Sequence, residues 1–314
     1  MKRVRLKIVC GTCCLLCLLA HAGFGQTTNA NFELGQKQYN DSDWNGAITN
    51  FSKCIETSFD LYDSYSYRAY AKSKIGDTAG ALGDCAEVIK LNPSFSGGHF
   101  WRACIFVNLT NYDAALANYA IAMRLGPQNR PKDLVDDISD GFNKRRWDCE
   151  LGGNIAGAIS NLDVVVFLNP INSNTFANRA MAKLHQGHFR AALTDANFAL
   201  KFNQENYLAH VIRAWSLFAL DDPKGAAEDC EEAQAFIEKS INKGKANPDL
   251  WRIDVSMNKG LLCLVKNDFQ AAKDNFQKVE EFSSADTNKV SKVMIARWQK
   301  LFEKMLAKAK AKKL

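Results

Sequence analysis

Seven alanines recur along the chain at a nearly constant interval, and this recurrence constrains the fold more than any other feature. They are Ala47, Ala81, Ala115, Ala158, Ala192, Ala226 and Ala272. Successive members are separated by 34, 34, 43, 34, 34 and 46 residues, so two intervals exceed the common period by 9 and 12. A fixed period between about 20 and 50 residues is typical of stacked repeats rather than of one globular core.

Other residue types keep the same register as these alanines. A turn glycine stands five residues before the alanine at Gly76, Gly153 and Gly187. The fourth residue after it is Phe51, Cys85, Tyr119, Leu162, Ala196, Cys230 or Phe276. Three repeats close on LNP or LGP, at Pro93, Pro127 and Pro170. Each repeat is therefore predicted to be a helix, a short turn and a second helix.

Two segments carry the pattern most clearly, SYRAYAKSKIGDTAGALGDCAEVIKLNP and TFANRAMAKLHQGHFRAALTDANFALKFN. In period and in small-residue, aromatic and proline positions, residues 28–283 resemble the tetratricopeptide repeat (TPR) family. The family's first-helix Leu-Gly occurs only at Leu34-Gly35, with a lone Gly260, whereas four other repeats have Arg-Ala. The resemblance implies an all-α solenoid of about seven helix–turn–helix units, stacked into a right-handed superhelix with first helices lining the concave face.

The period also predicts the organisation of the chain. Repeats one to three occupy 28–127, repeats four to six 138–240 and repeat seven 251–283, with insertions at 128–137 and 241–250. A helical stripe of Val290, Met294, Trp298, Leu301 and Met305 predicts a C-terminal capping helix and basic tail over 287–314.

The first 25 residues are predicted to be a cleaved signal peptide. A basic start precedes an apolar run from Ile8 to Ala20, and cleavage is expected near Ala22 or Gly25. The alternative is an N-terminal membrane anchor. We therefore expect an exported chain, periplasmic or secreted, with no membrane span after cleavage. Residues 23–286 hold 27 Lys/Arg and 33 Asp/Glu, which argues against a nucleic-acid partner.

The residues that could carry chemistry follow the repeat lattice. Arg68, Arg179 and Arg213 each precede an aspartate by sixteen residues, which predicts three equivalent Arg–Asp pairs rather than one catalytic pair. The six cysteines beyond the leader occupy lattice slots or stand alone, so they are expected to pack as small apolar residues. A Cys85–Cys104 disulfide and a metal at His185–His188 are the alternatives. We expect no catalytic residues, no cofactor and no metal.

By register with the family, the concave groove is predicted to carry aromatic and apolar side chains with a few amides. These candidate binding residues are Ser66, Tyr70, Phe100, Asn143, Trp147, Asn178, Met181, Val211, Trp215, Met257 and Leu261. The carboxylate clamp of some family members is not supported, because Phe32 and Gln36 stand at two of its positions. Such a groove suits an apolar helix or extended segment of a partner protein. The expected function is a non-enzymatic scaffold or adaptor, and the alternative is a structural or assembly subunit that uses its outer faces and loops. The oligomeric state and the partner's identity stay open.

Overall fold

The structure is a computed structural model that describes residues 29–126, 132–242, 248–285 and 289–313. These ranges contain fifteen α-helices and no strand, which confirms the predicted all-α class. The predicted leader and Pro127 lie outside the described residues. The chain divides into two compact units between Gly141 and Phe142.

Unit 1 consists of three helical hairpins and the beginning of a longer helix. Its helices are α1 (Ala30–Asn40), α2 (Trp44–Glu56), α3 (Leu61–Lys74), α4 (Thr78–Leu91), α5 (Ser96–Asn108), α6 (Tyr112–Leu125) and the first half of α7 (Lys132–Leu151). Aromatic rings fill the space between its first hairpins. Phe51 stacks on Tyr67 at 5.1 Å between ring centroids, and Tyr39 meets Tyr67 edge-on at the same distance.

Unit 2 contains the second half of α7 and eight further helices. These are α8 (Ile155–Leu168), α9 (Ser173–His185), α10 (Phe189–Phe202), α11 (Tyr207–Ala219), α12 (Pro223–Asn242), α13 (Pro248–Val265), α14 (Phe269–Ala285) and α15 (Lys289–Lys313). Side chains from α9 through α15 form one continuous apolar cluster. The hydrophobic effect of burying this cluster is the main favourable contribution to the stability of unit 2.

The alanine lattice marks the second helix of every hairpin. All seven lattice alanines are completely buried. The residue five positions before each alanine has a left-handed backbone, not only at the three predicted glycines but also at Ser42, Thr110, Asp221 and Asn267. Because only a positive φ reverses the chain here, each hairpin turns at the same lattice position whether or not a glycine is present.

The residue four positions before the alanine caps the second helix. Asp43, Asp77 and Asn111 each accept a hydrogen bond from the backbone N–H three residues later, at 3.0, 2.9 and 3.2 Å. The same bond is made in unit 2 by Asn154, Asp222 and Asp268. His188 takes this place in one hairpin and makes no side-chain cap. Short polar residues at the cap satisfy amide groups that the helix leaves unpaired.

The first-helix glycines Gly35 and Gly260 both lie against a phenylalanine ring. A Cβ atom added to Gly260 would lie 2.5 Å from the Phe276 ring, and one added to Gly35 would lie 3.1 Å from Phe51. Hairpins with alanine at the glycine position, such as Ala69 and Ala214, carry the smaller Cys85 or Cys230 in the facing slot. The third hairpin departs from this pattern, because its Ala103 faces the large and buried Tyr119.

The two predicted insertions are partly helical. Residues 132–137 form the first turns of α7, which runs for 20 residues, and α13 begins at Pro248. Residues 127–131 and 243–247 lie outside the described part of the chain. The boundaries of the individual repeats remain a prediction.

Candidate functional site

The three predicted groove residues of unit 1 are buried. Ser66 donates a hydrogen bond to the carbonyl of Tyr62 at 2.7 Å, within its own helix. Tyr70 lies 5.6 Å from the Trp101 ring, and Phe100 lies 6.2 Å from the Tyr119 ring. These three side chains therefore contribute to the packing of unit 1, and any role in binding remains a prediction.

Five predicted groove residues of unit 2 come together on its first helices, α9, α11 and α13. We call this surface the inner face and define it by Met181, Val211, Trp215, Met257 and Leu261. None of the five is more than 6% exposed. They are buried because they share one apolar cluster with residues of α15.

The C-terminal helix presents a stripe of large side chains to this cluster. Trp298, Leu301, Phe302 and Met305 are spaced three and four residues apart and are all buried. The Trp298 ring lies 5.6 Å from that of Trp215, and Phe302 stacks on Phe276 at 3.7 Å. Trp215 also meets Phe276 edge-on at 5.9 Å. The helix predicted as a cap thus packs against the inner face.

Charged side chains fix α15 near both of its ends. Lys308 and Lys312 form ion pairs with the same Asp221 oxygen at 2.6 and 2.5 Å, and Lys308 also donates to the carbonyl of Ala219. Hydrogen bonds from these two lysines lower the pKa of the exposed Asp221 carboxyl. Nearer the start of the helix, Arg297 donates to the carbonyl of Glu150. We call the contact of Asp221 with the two lysines the latch.

Two polar groups beneath α15 have no hydrogen-bond partner among the residues that the structure describes. The indole Nε1 of Trp215 and the imidazole Nε2 of His185 are both buried and unpaired. Trp298 contacts both rings, and its centroid lies 4.9 Å from that of His185. Burial, with a smaller contribution from Arg297, lowers the pKa of His185 to about 3. His185 is therefore neutral at physiological pH and unsuited to answer a pH change there.

Asn143, Trp147 and Asn178 are the predicted groove residues that retain partial exposure. The guanidinium of Arg146 lies over the Trp147 ring at 3.7 Å and also pairs with Glu150 at 3.0 Å. The Arg146 side chain is itself only 4% exposed. Because this packing fixes one edge of the indole, Trp147 is held in place while part of its ring remains accessible.

The predicted Arg–Asp pairs are confirmed at all three positions. Arg179 donates two hydrogen bonds to Asp195, at 2.8 and 2.7 Å, and the Arg68–Asp84 and Arg213–Asp229 pairs have the same geometry. In one of the hairpins with asparagine at this position, Arg102 donates to Asn118 at 2.6 Å. Such paired, largely buried groups orient the two helices of a hairpin.

Each of these arginines also reaches back to the preceding hairpin. The remaining guanidinium nitrogen bonds the residue sixteen positions earlier: Arg68 to Ser52, Arg179 to Asp163 and Arg213 to Asn197. The aspartates also have a second cationic or imidazole partner, Lys72, Lys183 or His210. The forward spacing of sixteen was visible in the sequence, whereas the backward partner varies between serine, aspartate and asparagine and gave no pattern.

All six described cysteines are free, including Cys85 and Cys104, the pair considered for a disulfide. Burial, reinforced by the neighbouring aspartate, raises the pKa of Cys85 and of Cys230 to about 12. Since the thiolate is the reactive form, neither sulfur is suited to nucleophilic chemistry at neutral pH.

We expect Cys85 and Cys230 to stay unmodified when the folded chain is treated with iodoacetamide at pH 8. Cys104 and Cys149 are only partly buried and should react first. Peptide mass spectrometry after a time course measures this order, and the same treatment in denaturant provides the fully reactive control. Rapid modification of Cys85 in the folded chain would contradict the burial assignment.

A second exposed feature of unit 2 is a set of apolar side chains on α8, α10 and the loop after α8. We call it the outer cluster and define it by Phe167, Ile171, Phe198 and Phe202, which are 63%, 70%, 43% and 39% exposed. Phe198 and Phe202 flank the buried Phe176, with centroids 5.4 and 5.7 Å away. Grouped exposed apolar side chains often mark contact surfaces.

The described residues show no grouping of His, Cys, Asp and Glu side chains suited to holding a metal ion. Of the two histidines that could chelate a metal by their spacing, His185 packs on Trp298 and His188 is exposed at the turn. None of the described helices combines the length and the apolar character that crossing a bilayer requires.

Comparison with known proteins finds similarity to two curated proteins over part of their length. Heat shock protein STI1 of Saccharomyces cerevisiae is 29% identical over 153 residues, covering 48% of this chain and 26% of the yeast protein. DnaJ homolog subfamily C member 3 of Homo sapiens is 22% identical over 193 residues, covering 60% and 38%. The chain thus spans well under half the length of either relative.

Among solved structures, the C-terminal part of a TPR repeat-containing protein from Cytophaga hutchinsonii is similar at a TM-score of 0.47 and 15% identity. The similarity covers 82% of this chain and 98% of that one. The family model described as tetratricopeptide repeat matches residues 178–240, from within α9 to near the end of α12. Proteins of this family act in protein–protein interactions. Residues 178–240 are therefore similar to the tetratricopeptide repeat family, and the other described hairpins share the same lattice of buried alanines.

Proposed function

We propose that the chain is an exported, non-enzymatic adaptor that binds a segment of a partner protein on the first helices of its repeats. The observation that carries the proposal is that the inner face of unit 2 already holds a helix, α15, through large apolar side chains. A surface that packs Trp298 and Phe302 of its own chain has the shape and chemistry to accept similar side chains from another.

The composition of the inner face supports an apolar partner rather than a charged one. Its five defining residues are aliphatic, methionine or tryptophan, and none carries a charge that could form an ion pair with a carboxylate. Trp and Met suit such a role because a large contact area accompanies few or adaptable rotatable bonds. The export part of the proposal rests on the N-terminal sequence pattern alone.

Trp147 provides the sharpest test of the adaptor function. We expect Trp147→Ala to reduce partner capture by the 26–314 form at least tenfold, because its indole is partly accessible, while helicity stays unchanged. Capture from the native extract followed by mass spectrometry identifies the partner, and binding of that purified partner measures the loss.

Phe198→Ser is the matched control, since it removes an exposed aromatic side chain from the outer cluster instead. Unchanged partner affinity in Trp147→Ala, with a loss in Phe198→Ser, would move the binding surface from the first helices to the outer face.

The outer cluster supports a second candidate function, that of an assembly subunit. Its four side chains are exposed and apolar, and a neighbouring subunit would cover them. In that case the purified chain forms a stable oligomer, detected by size exclusion with light scattering, and Phe167→Ser dissociates it.

A further inference from the structure

The C-terminal helix makes more extensive contacts than the cap of a repeat array requires. A terminal cap has only to cover the last hairpin, here α13 and α14. In unit 2, α15 also reaches His185 on α9 and Trp215 on α11, two and one hairpins earlier. Lys304 in addition lies over the ring of Phe189 on α10, at 5.1 Å. The helix therefore lies across successive first helices, as a bound helical ligand would.

We propose that the inner face of unit 2 is a receptor for an amphipathic, lysine-bearing helix, and that α15 is a resident ligand which a partner helix displaces. This inference rests on the proposed adaptor function and names its partner class and its regulation. The chain would be closed while α15 is docked and open to the partner once α15 leaves.

The contacts of α15 specify the chemistry of the partner helix. Counted from Trp298, the large side chains of its apolar stripe follow at the third, fourth and seventh residues, which are Leu301, Phe302 and Met305. Ten residues beyond the first anchor stands Lys308, whose ammonium meets the carboxylate of Asp221. A partner that replaces α15 needs the same stripe of apolar anchors and a cationic side chain about three turns after the first anchor.

The unpaired groups beneath Trp298 distinguish α15 from an optimal ligand. The indole N–H of Trp215 is a donor with no acceptor, and a buried donor left unpaired weakens the complex that buries it. A partner helix with a hydroxyl or carboxamide oxygen near this site would satisfy that donor. With otherwise equivalent side chains, such a partner would bind the inner face more tightly than α15 does.

The latch keeps α15 in place through groups that water can reach. The Asp221 and Lys312 side chains are 52% and 58% exposed. Ion pairs between exposed groups are weak and are screened by salt. The end of α15 can thus separate from Asp221 without exposing the apolar core first, which gives a partner helix a place to begin displacement.

The test uses the full chain and a fluorescent synthetic peptide with the sequence of residues 289–313 as the probe. Lys308→Glu combined with Lys312→Glu weakens α15 while leaving the inner face and Asp221 unchanged. We expect the peptide to bind this variant at least tenfold more tightly than it binds the wild type. Amide hydrogen exchange of α15 should accelerate when the peptide is bound.

Two matched controls accompany the experiment. Lys300→Glu with Lys310→Glu makes the same charge change on α15 at exposed positions outside the latch, and it should bind the peptide as the wild type does. A peptide carrying Trp298→Ala and Phe302→Ala should bind neither chain. A second receptor variant, Phe302→Ala in the full chain, weakens α15 through its apolar contact instead.

Three outcomes would overturn the inference. Equal peptide affinity for the wild type and the latch variant, with α15 still protected, would place peptide binding elsewhere. Rapid exchange of α15 in the latch variant without peptide binding would reject the partner class. Full protection of α15 in every folded variant would reject displacement. The adaptor function is judged separately, because the Trp147→Ala capture experiment does not depend on α15 leaving.

Discussion

Replacing Trp215 with alanine is expected to lower the free energy of unfolding by about 3–5 kcal/mol, the range for removing a large aromatic side chain from a core. Trp215 is fully buried between Phe276 and Trp298, so the variant loses contacts with both the hairpin α13–α14 and α15. The cavity cannot be filled by one neighbouring side chain, because three separate helices surround it. Urea unfolding followed by circular dichroism measures the loss.

Trp147→Ala is the matched control for this substitution. Its indole is only partly buried and packs chiefly on Arg146, so we expect a loss of about 1 kcal/mol or less from the smaller area and the lost cation–π contact. If Trp215→Ala unfolded at the same urea concentration as Trp147→Ala, the packing of α15 on the inner face would be wrong. Trp215→Ala therefore tests the packing of the inner face, and Trp147→Ala tests the proposed binding role.

Replacing Asp229 with alanine is expected to destabilise the chain by about 3 kcal/mol at neutral pH, because it leaves Arg213 and His210 without their shared anion. The carboxylate is 4% exposed and accepts hydrogen bonds from Arg213 at 2.7 and 2.6 Å. Arg213 is 30% exposed and can be hydrated in the variant, which places the expected loss at the lower end for a broken buried pair. Asp229→Asn keeps one acceptor and should lose about half as much.

The same substitution predicts a pH dependence. Burial alone would raise the pKa of Asp229, but hydrogen bonds from His210 and Arg213 outweigh it and hold the pKa below the ordinary value. The stabilisation from Asp229 is therefore complete above the unfolded-state pKa near 4 and is lost as the pH falls through the lower folded-state value. Wild type and Asp229→Ala should converge in stability at acid pH.

Asn118→Ala provides the neutral control for the acid series. It removes the acceptor that faces Arg102 in the equivalent place, but no titrating carboxylate is lost. Asn118 also hydrogen-bonds His99, so its stability difference from the wild type should change with pH only through the titration of His99, whose pKa is lowered by burial. A stability difference for Asp229→Ala that stays constant from neutral to acid pH would contradict the assignment of a lowered pKa.

The fold was largely predictable because the sequence signals of each repeat depend on residues of that repeat alone. The lattice alanines, the turn position five residues earlier and the Arg–Asp spacing of sixteen all depend on contacts within one hairpin. Such contacts recur at every copy, so several imperfect examples identify them. The left-handed backbone at Ser42 and Asp221 was not predicted, because serine and aspartate do not favour a positive φ as glycine does.

The arrangement at the candidate site could not be predicted in the same way. The stripe from Trp298 to Met305 indicated an amphipathic helix, but an apolar stripe does not identify the surface that it covers. His185 and Trp298 lie more than one hundred positions apart, and no repeat of their contact exists elsewhere in the sequence. The burial of Trp215 likewise depends on residues distant in the sequence, Phe276 and Trp298.

The arginines bond residues both before and after them in the chain, and these bonds affect which deletions and duplications of repeats the fold can tolerate during evolution. Arg179 and Arg213 are one period apart, as are Asp195 and Asp229, and each arginine bonds sixteen positions backward and forward. Excising the 34 residues from 180 to 213 would bring Asp229 into the place of Asp195, so Arg179 would keep both its partners. Duplicating the same stretch would likewise add a complete set. Loss or gain of one 34-residue unit thus leaves no arginine or aspartate of these pairs without its partner at the junction. Deletions and duplications of a whole period are therefore far less destabilising than shorter ones.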